Sequence, residues 1–363
     1  MLYPVFMTEP IRAAVIGFGL GGRVFHTAFI HAVDGLQLAA IVQRRGDEAA
    51  QAYPDATIYR SVDEMLADES IQLVAVTTSN HTHFELGRQA LLAGKHVVID
   101  KPFALTSAEA AELIHIARER KLVLSAFQNR RWDGDFRTLR ELVSRGVLGR
   151  LVVFESHYDR FRQEPRLNMW KEDGVTPGGG MLYDLGSHII DQALALFDVP
   201  ETITADIRID RDAGLTDDAF DLRLSYPEGN GRRLTVLLRS TMTAAIPGAR
   251  FTLHGTQGSF VKFGIDPQED AIKAGVTIGS PGWGEEPESL WGTLKLADGS
   301  ESRIRTEAGD YRGYYENIRD AILGEAAVAV PGIDAWRTTR IIELARQSSA
   351  EGRTLPVELG PLP

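Results

Sequence analysis

Nearly uninterrupted apolar runs recur through the first third of the chain, and each is followed by residues with helical spacing. The runs cover residues 13–16, 36–42, 73–77, 96–99 and 123–126. Strands of a parallel sheet show this pattern because helices cover both faces of the sheet. The sequence therefore predicts a doubly wound α/β unit with a parallel sheet over residues 11–128.

The pattern changes after residue 128, where helices and strands no longer alternate. Helical spacing is found at residues 133–145, 181–197, 311–323 and 334–350. Extended segments are predicted at residues 151–158, 203–209, 219–226, 234–241, 251–254 and 259–263. Most of them follow one another without helices, which favours antiparallel pairing. We predict that residues 129–363 form an α+β domain with a mostly antiparallel open sheet.

Two segments of this second region add further expectations. Residues 264–291 are rich in glycine, proline and tryptophan, which indicates a long ordered loop or a flap. Val236, Leu237 and Leu238 stand in succession, so both faces of their strand are apolar. We therefore expect the uncovered face of the sheet to be buried in a homodimer or homotetramer. Residues 129–363 are the candidate substrate-binding and oligomerisation domain.

The composition excludes several classes of protein. The formal net charge of -11 argues against nucleic acid or an anionic membrane as a partner. The chain has no cysteine, which excludes disulfides, thiolate zinc sites and a cysteine nucleophile, and which fits a cytoplasmic location. No apolar run approaches the roughly 18 residues of a membrane span. Residues 1–10 lack the basic start of a signal peptide and are interpreted as a leader.

A glycine motif follows the first apolar run. Gly17, Gly19 and Gly22 have the G-x-G-x-x-G spacing, and the helix predicted after them starts at Arg23. In a dinucleotide-binding unit these glycines make a tight turn, let the backbone approach the pyrophosphate, and bring the helix close to the strand. A bare tight turn could also contain them. We interpret residues 11–128 as a Rossmann dinucleotide-binding domain. Its phosphate loop comprises Gly17, Phe18, Gly19, Gly21 and Gly22.

The end of the second strand bears on the choice of cofactor. NAD-binding folds usually carry an acidic residue there, which accepts hydrogen bonds from the ribose 2′-hydroxyl. This chain has Gln43, Arg44 and Arg45 instead, and Asp47 is the first acidic residue after them. A carboxylate repels a 2′-phosphate, whereas a guanidinium pairs with it. We predict that NADP(H) is preferred over NAD(H), although two solvated arginines at a strand end would look the same.

Polar residues also follow the third apolar run, at the edge of the sheet where ligands bind. Thr77, Thr78, Asn80 and His83 are candidates for contacts to the ribose and pyrophosphate, although a loop that caps the next helix has similar residues. His81 and His83 are two positions apart, and no third ligand stands near them. We therefore predict no metal site.

Asp100 and Lys101 end the fourth apolar run and are further candidates for the cofactor site. Pro102 biases Lys101 towards an extended conformation, which aims the lysine in a defined direction. An ammonium at this edge can donate a hydrogen bond to a substrate oxygen and stabilise negative charge on it. An ordinary surface lysine is the alternative.

A second glycine run, residues 178–180, precedes a long predicted helix that contains Asp184 and His188. These two residues are four positions apart and would share one helix face. Histidine is suited to moving a proton near neutral pH, and a neighbouring carboxylate can orient it. A salt bridge on the helix surface is the alternative that the spacing leaves open.

Together these motifs resemble the Gfo/Idh/MocA family, which is named after glucose–fructose oxidoreductase and inositol dehydrogenase. The family combines the glycine fingerprint, a Glu-Lys-Pro motif and a Gly-Gly-Gly…Asp…Gly-x-His helix in this order. The resemblance covers the chain from Ile11 onward and assigns the catalytic roles to Lys101, Asp184 and His188. Asp100 replaces the usual glutamate, which keeps the charge and shortens the side chain.

The resemblance implies a nicotinamide-dependent hydride transfer to or from a secondary alcohol carbon. His188 would move the hydroxyl proton with Asp184 orienting it, and Lys101 would stabilise the oxygen. Whether His188 or Lys101 carries the proton varies within the family. Residues 127–132 and 157–162 resemble a subgroup that contains NADP-dependent scyllo-inositol dehydrogenases.

The expected substrate is therefore a cyclic polyol or sugar such as an inositol. The candidate substrate residues are Lys101, Asn129, Arg131, Tyr158, Arg160, Asp184 and His188. Because a guanidinium also suits a carboxylate or phosphate, an anionic substrate remains an alternative. Two further alternatives are a catalytically silent regulatory protein that binds a nucleotide or sugar, and a reductase of a non-sugar substrate such as a tetrapyrrole or imine.

Overall fold

The computed structural model describes residues 9–166 and 168–363, so all but the last two residues of the leader predicted at 1–10 lie outside the described residues. The first sheet has six parallel strands, which confirms the predicted Rossmann architecture. Its strands are β1 (Ile11–Ile16), β2 (Leu36–Val42), β3 (Thr57–Tyr59), β4 (Leu73–Val76), β5 (His96–Ile99) and β6 (Leu124–Ala126). Their order is β3-β2-β1-β4-β5-β6.

Five helices lie between these strands. They are α1 (Ala28–Ala32), α2 (Glu48–Ala52), α3 (Val62–Leu66), α4 (His83–Leu92) and α5 (Ser107–Arg120). The helix predicted from Arg23 begins as a widened turn, Gly22–Thr27, before it continues as α1. Helix α5 begins at a capping box, in which Thr106 accepts from the Glu109 amide and Glu109 accepts from the Thr106 amide.

The second sheet has nine strands and is antiparallel apart from one pair, as predicted. Its strands are β7 (Leu151–His157), β8 (Thr202–Arg208), β9 (Ala219–Gly229), β10 (Arg232–Thr241), β11 (Phe251–Gly255), β12 (Gly258–Lys262), β13 (Gly292–Leu296), β14 (Glu301–Ile304) and β15 (Leu355–Pro356). The parallel pair is β7 with β10. Strands β13 to β15 were not predicted, because they are short strands whose apolar residues are few.

Helices cover one face of the second sheet and close its core. The helices of this region are α6 (Gly134–Ser144), α7 (Ser187–Phe197), α8 (Gln268–Lys273), α9 (Arg312–Leu323) and α10 (Gly332–Glu351). Residues of α7 and α10, such as Ile189 and Ile341, pack with Val236 and Phe251 of the sheet in one buried cluster. Helix α9 instead contributes Tyr315 to the core of the first sheet, so the C-terminal region completes the Rossmann core.

The segment 264–291, predicted as a loop or flap, contains α8 and a short turn at Glu288–Leu290. Glu269 of α8 pairs with Arg130 at 3.0 Å, and Trp283 packs on Phe29 of α1. The segment is therefore packed against the core of the first sheet, to which Trp283 belongs.

The other face of the second sheet is mixed in polarity. Leu234, Val236 and Leu238 face the core, while Leu237 is half-buried between its register partners Glu155 and Arg223. The expected self-association through this face therefore stays a prediction. Within the described part of the chain, no helix combines the length and apolar character needed to cross a membrane.

Candidate active site

The loops that follow β1, β4 and β5 meet at one edge of the parallel sheet. Thr77 Oγ1 lies 3.0 Å from the carbonyl oxygen of Gly17, and a Cβ on Gly21 would stand 3.0 Å from Asp100 Oδ2. Parallel strands place their carboxyl ends at the same edge, and the crevice there is where ligands bind. The predicted cofactor residues after these three strands are thus neighbours in the structure.

The three motif glycines differ in their surroundings, and these surroundings show whether the loop has room for a dinucleotide. Gly17 has φ +105°, and a Cβ on Gly22 would overlap the carbonyl oxygen of Gly17. The protein's own packing therefore requires these two glycines. A Cβ on Gly19 would meet no protein atom within 4 Å. An open approach to this backbone, next to a following helix, fits a bound pyrophosphate.

The loop after β2 leaves two guanidinium groups in solvent. Arg44 and Arg45 are exposed, whereas the Gln43 side chain bonds to Glu48 and to the Ala49 amide. Gln43 is thus held within the protein.

Arg60, which the sequence analysis missed, fixes this loop. It donates to the Gly46 carbonyl and to Asp47 at 2.6 Å each. Asp47, the first acidic residue after β2, is therefore paired with Arg60. The exposed hydrogen-bond donors at this end of the site are the guanidinium groups of Arg44 and Arg45. This donor set fits a 2′-phosphate.

The loop after β4 is held by hydrogen bonds within itself and to the C-terminal region. Thr78 Oγ1 lies 2.6 Å from Thr82 Oγ1, and Asn80 donates from its amide to the Gly178 carbonyl at 2.8 Å. His83 is buried, and its ring nitrogens lie 2.8 Å from the Pro102 carbonyl and 3.0 Å from the Thr78 carbonyl. His83 therefore joins the loops after β4 and β5.

A lysine–carboxylate–lysine cluster lies beside these loops. Lys101 Nζ donates to Asp184 Oδ1 at 2.9 Å and to the Asp184 carbonyl at 2.8 Å. Lys171 Nζ donates to the same Oδ1 atom at 2.6 Å. The structure thus brings the predicted catalytic pair Lys101 and Asp184 together and adds Lys171, which the sequence analysis did not single out.

The predicted orientation of His188 by Asp184 is not what the structure has. Residues Leu182–Gly186 form a widened turn with i→i+5 bonding, which changes the face relation expected four residues apart in an α-helix. Asp184 bonds to Lys101 and Lys171, while His188 Nδ1 is buried without a hydrogen-bond partner among the described residues. Asp184 therefore positions the lysines rather than the imidazole.

Burial and neighbouring charges set the protonation of this cluster. Burial lowers the pKa of Lys101, and repulsion by Lys171 opposes the attraction of Asp184. Burial, together with the Lys101 ammonium, holds the pKa of His188 well below its usual range, so its imidazole is neutral near pH 7. Although burial acts in the opposite direction, Lys101 and Lys171 keep the pKa of Asp184 well below its usual range.

Asp100 directly precedes Lys101 and is also ionised. Burial alone would raise its pKa, but the His26 imidazole, whose Nε2 lies 3.8 Å from Asp100 Oδ2, lowers it together with the Lys101 ammonium to about 2. Its Oδ1 accepts from the Lys101 backbone amide at 2.7 Å. The short Asp100 side chain therefore fixes the backbone beside Lys101.

The predicted substrate residues lie in different surroundings. Tyr158 is buried, with the Arg130, Arg160 and Arg250 guanidinium groups 5.0, 5.7 and 5.2 Å from its ring centre. Arg160 is exposed, and its charge acts on Lys171. Arg160 thus lies beside Tyr158 and within electrostatic range of Lys171.

Asn129 and Arg131 belong to the short turn Asn129–Trp132. Asn129 is buried there. Arg131 binds Asp191 through two nitrogens at 2.8 and 2.6 Å and Asp334 at 3.0 Å. The guanidinium of Arg131 is thus committed to the protein, and the structure does not bring it to Lys101.

Among residues 9–166 and 168–363, no group of three or more metal-ligating side chains is gathered in one place. The donors at the sheet edge are backbone amides, hydroxyl groups and cations. Such donors suit a phosphate-bearing cofactor.

Comparison with known proteins places the chain in a family. Residues 11–128 match the model of an oxidoreductase family with an NAD-binding Rossmann fold, and residues 140–359 match the model of its C-terminal alpha/beta domain. Oxidoreductase YdgJ of Escherichia coli is 40% identical over 96% of this chain and 99% of its own length. The scyllo-inositol 2-dehydrogenase (NADP(+)) IolW of Bacillus subtilis is 36% identical over 96% of this chain and 97% of its own.

The solved structures agree with this assignment. The oxidoreductase yvaA from Bacillus subtilis superposes with a TM-score of 0.92 and 36% identity, covering 96% of this chain and 99% of that chain. Both domains and their order are therefore shared along nearly the whole length. The chain belongs to the Gfo/Idh/MocA family of nicotinamide-dependent oxidoreductases.

Proposed function

We propose that the protein transfers a hydride between NADP(H) and a secondary alcohol or ketone carbon of a cyclic polyol or sugar, with an inositol as the preferred type of substrate. The observation that carries this proposal is the cluster of Lys101, Asp184 and neutral His188 beside a glycine loop that is open at Gly19. The name of the IolW relative supports the type of substrate.

The nicotinamide ring of the bound cofactor would accept or supply the hydride. The Lys101 ammonium donates a hydrogen bond to the substrate oxygen and stabilises the negative charge that develops there. The neutral His188 imidazole accepts the hydroxyl proton at a ring nitrogen and returns it in the reverse direction. Asp184 holds the Lys101 ammonium in place.

A neutral substrate is favoured because the buried cations near the site are already paired. Arg130 pairs with Asp133 and Glu269, and Arg250 lies 3.6 Å from Asp135. A site that bonds each hydroxyl group rejects analogues that lack one. A screen of inositols, neutral sugars, sugar acids and sugar phosphates with NADP and NAD, followed by nicotinamide absorbance, tests the proposal. Activity confined to sugar acids or phosphates would overturn the choice of a neutral polyol.

The preference for NADP(H) rests on the exposed Arg44 and Arg45. We expect kcat/KM to be higher with NADP than with NAD. Arg44→Ala should narrow the difference in transition-state free energy between the two cofactors by on the order of 1.5–3 kcal/mol, because a charge-assisted hydrogen bond to the 2′-phosphate is lost. Arg120→Ala, which removes an exposed arginine at the end of α5, is the matched control. An unmodified protein that used NAD as well as NADP would exclude this preference.

We propose that the protein is a homodimer or homotetramer that associates through the face of the second sheet where Leu237 lies. Light scattering at micromolar concentration should give a multiple of the 39.9 kDa chain mass. Leu237→Glu should lower that mass, because it places a carboxylate on the face that association would bury. A monomer mass for the unmodified protein would count against assembly.

A cytoplasmic location is also proposed, on the absence of cysteine from the sequence. Fractionation of cells that express the full chain tests it. Recovery from a secreted or membrane fraction would overturn it.

A further inference from the structure

Lys171 is a second ammonium that contacts the catalytic carboxylate. Its Nζ lies 2.6 Å from Asp184 Oδ1, and Lys101 Nζ lies 2.9 Å from that same oxygen. One carboxylate oxygen therefore serves two cations from two different segments of the chain. An ordinary ion pair has a single cation for each carboxylate.

The backbone of Lys171 is held firmly beside the second glycine run. Its carbonyl oxygen accepts from the Gly180 amide at 2.9 Å, and a Cβ on Gly179 would stand 2.9 Å from that oxygen. The absence of a side chain at Gly179 thus permits the close approach. This contact sets the distance from Lys171 to the turn that carries Asp184.

The residue after Lys171 is anchored by a chain of ion pairs. Glu172 accepts from Arg162 and from Arg211, the latter at 3.0 Å. Arg211 is buried and also binds the buried Asp218 at 2.8 Å. Lys171 is therefore presented to Asp184 by a fixed segment.

We propose that Lys171 is a positioning residue for the reaction, which holds Asp184 through the same carboxylate oxygen that Lys101 contacts and takes up part of its negative charge. The Lys101 ammonium then stays free to exchange its hydrogen bond between Asp184 and the substrate oxygen. The proposal rests on the proposed function, because it concerns the lysine that this function makes catalytic.

The charges around Lys101 determine what the loss of Lys171 would do. Lys101 is influenced by Asp184, Asp100 and Lys171, and its own charge acts on His188. Without the Lys171 ammonium, Lys101 is no longer repelled by that charge, and the carboxylate of Asp184 interacts with Lys101 alone. Both effects raise the pKa of Lys101. The charge of Arg160, which also acts on Lys171, is the same in the unmodified protein and in a Lys171 variant.

The test compares Lys171→Gln, which removes the charge, with Lys171→Arg, which retains it. We expect kcat of Lys171→Gln to fall on the order of 10- to 100-fold, as when a reacting group is misplaced. The limb of the pH–rate profile that reports Lys101 should move to higher pH. Lys171→Arg should keep kcat and the position of that limb close to those of the unmodified protein. Lys295→Gln, which removes an exposed lysine from β13, should change neither quantity.

Titration of Lys101 in the free protein separates this proposal from the proposed function. Protein labelled with ¹³C at lysine Cε is titrated by NMR, and the Lys101 signal is identified by its loss in Lys101→Met. A higher titration midpoint in Lys171→Gln supports the proposal even where no substrate is turned over. An unchanged midpoint overturns it, whatever the activity of the variants.

Discussion

Replacing Lys101 by methionine should lower kcat by about a hundred- to ten-thousand-fold, the range that a group acting on the reacting oxygen supplies. Lys101 extends from the end of β5 and donates two hydrogen bonds to Asp184, so its ammonium is held at the edge of the sheet where ligands bind. Methionine keeps much of the length of the side chain and removes the charge. The affinity for NADPH should stay nearly unchanged, since the glycine loop from Gly17 to Gly22 holds the phosphates.

Single-turnover kinetics and a fluorescence titration with NADPH measure the two quantities separately. Lys295→Met is the control, because the Lys295 side chain lies exposed on β13, where it pairs with exposed Glu301. A Lys101→Met protein that kept kcat within about tenfold of the unmodified protein would show that Lys101 does not act on the reacting oxygen.

The elements that could be predicted from sequence are those that local pattern controls. The apolar runs that became β1, β2, β4 and β5 have no polar alternation because both faces of their sheet are buried. The glycine fingerprint was equally readable, because Gly17 and Gly22 are required by a turn and a close helix contact within a few residues. Strand β3 was missed because three half-buried or exposed residues leave no pattern.

The contacts that could not be predicted join residues far apart in the chain. Lys171 meets Lys101 only through Asp184, and nothing in the residues around Lys171 distinguishes it from a surface lysine. The occupation of Asp47 by Arg60 is of the same kind. The hydrogen bond expected between Asp184 and His188 is not among the contacts of the described residues, since Asp184 lies in a widened turn at Leu182–Gly186 and bonds to Lys101 and Lys171 instead.

Asp184→Asn is the substitution that should disturb the site most widely, because it leaves two ammonium groups without the anion between them. Asparagine keeps the size of the side chain and one oxygen acceptor, so packing is preserved and only the charge is lost. Lys101 and Lys171 then repel each other across a site that is only partly open to water. We expect kcat to fall on the order of a hundredfold, because the Lys101 ammonium is no longer held in position.

The same variant should unfold more easily, with a loss of about 2–3 kcal/mol near pH 7. This is somewhat below the cost of removing one partner from a fully buried ion pair, since the Asp184 side chain is 24% exposed. Because the folded-state pKa of Asp184 lies well below the ordinary aspartate value of 3.8, its contribution to stability is present above that value and fades as the pH falls through the folded-state pKa. The difference between variant and unmodified protein should therefore shrink on acidification.

Urea unfolding at pH 7 and at successively lower pH measures this dependence. Asp206→Asn is the matched control: its carboxylate pairs with Arg208 but is 65% exposed, so about 0–1 kcal/mol is expected. Equal stability of Asp184→Asn and the unmodified protein at every pH would mean that the two lysines do not depend on Asp184 in the folded state. A loss of stability that persisted unchanged in acid would instead point to a packing defect, because protonation removes the charge from the native aspartate as well.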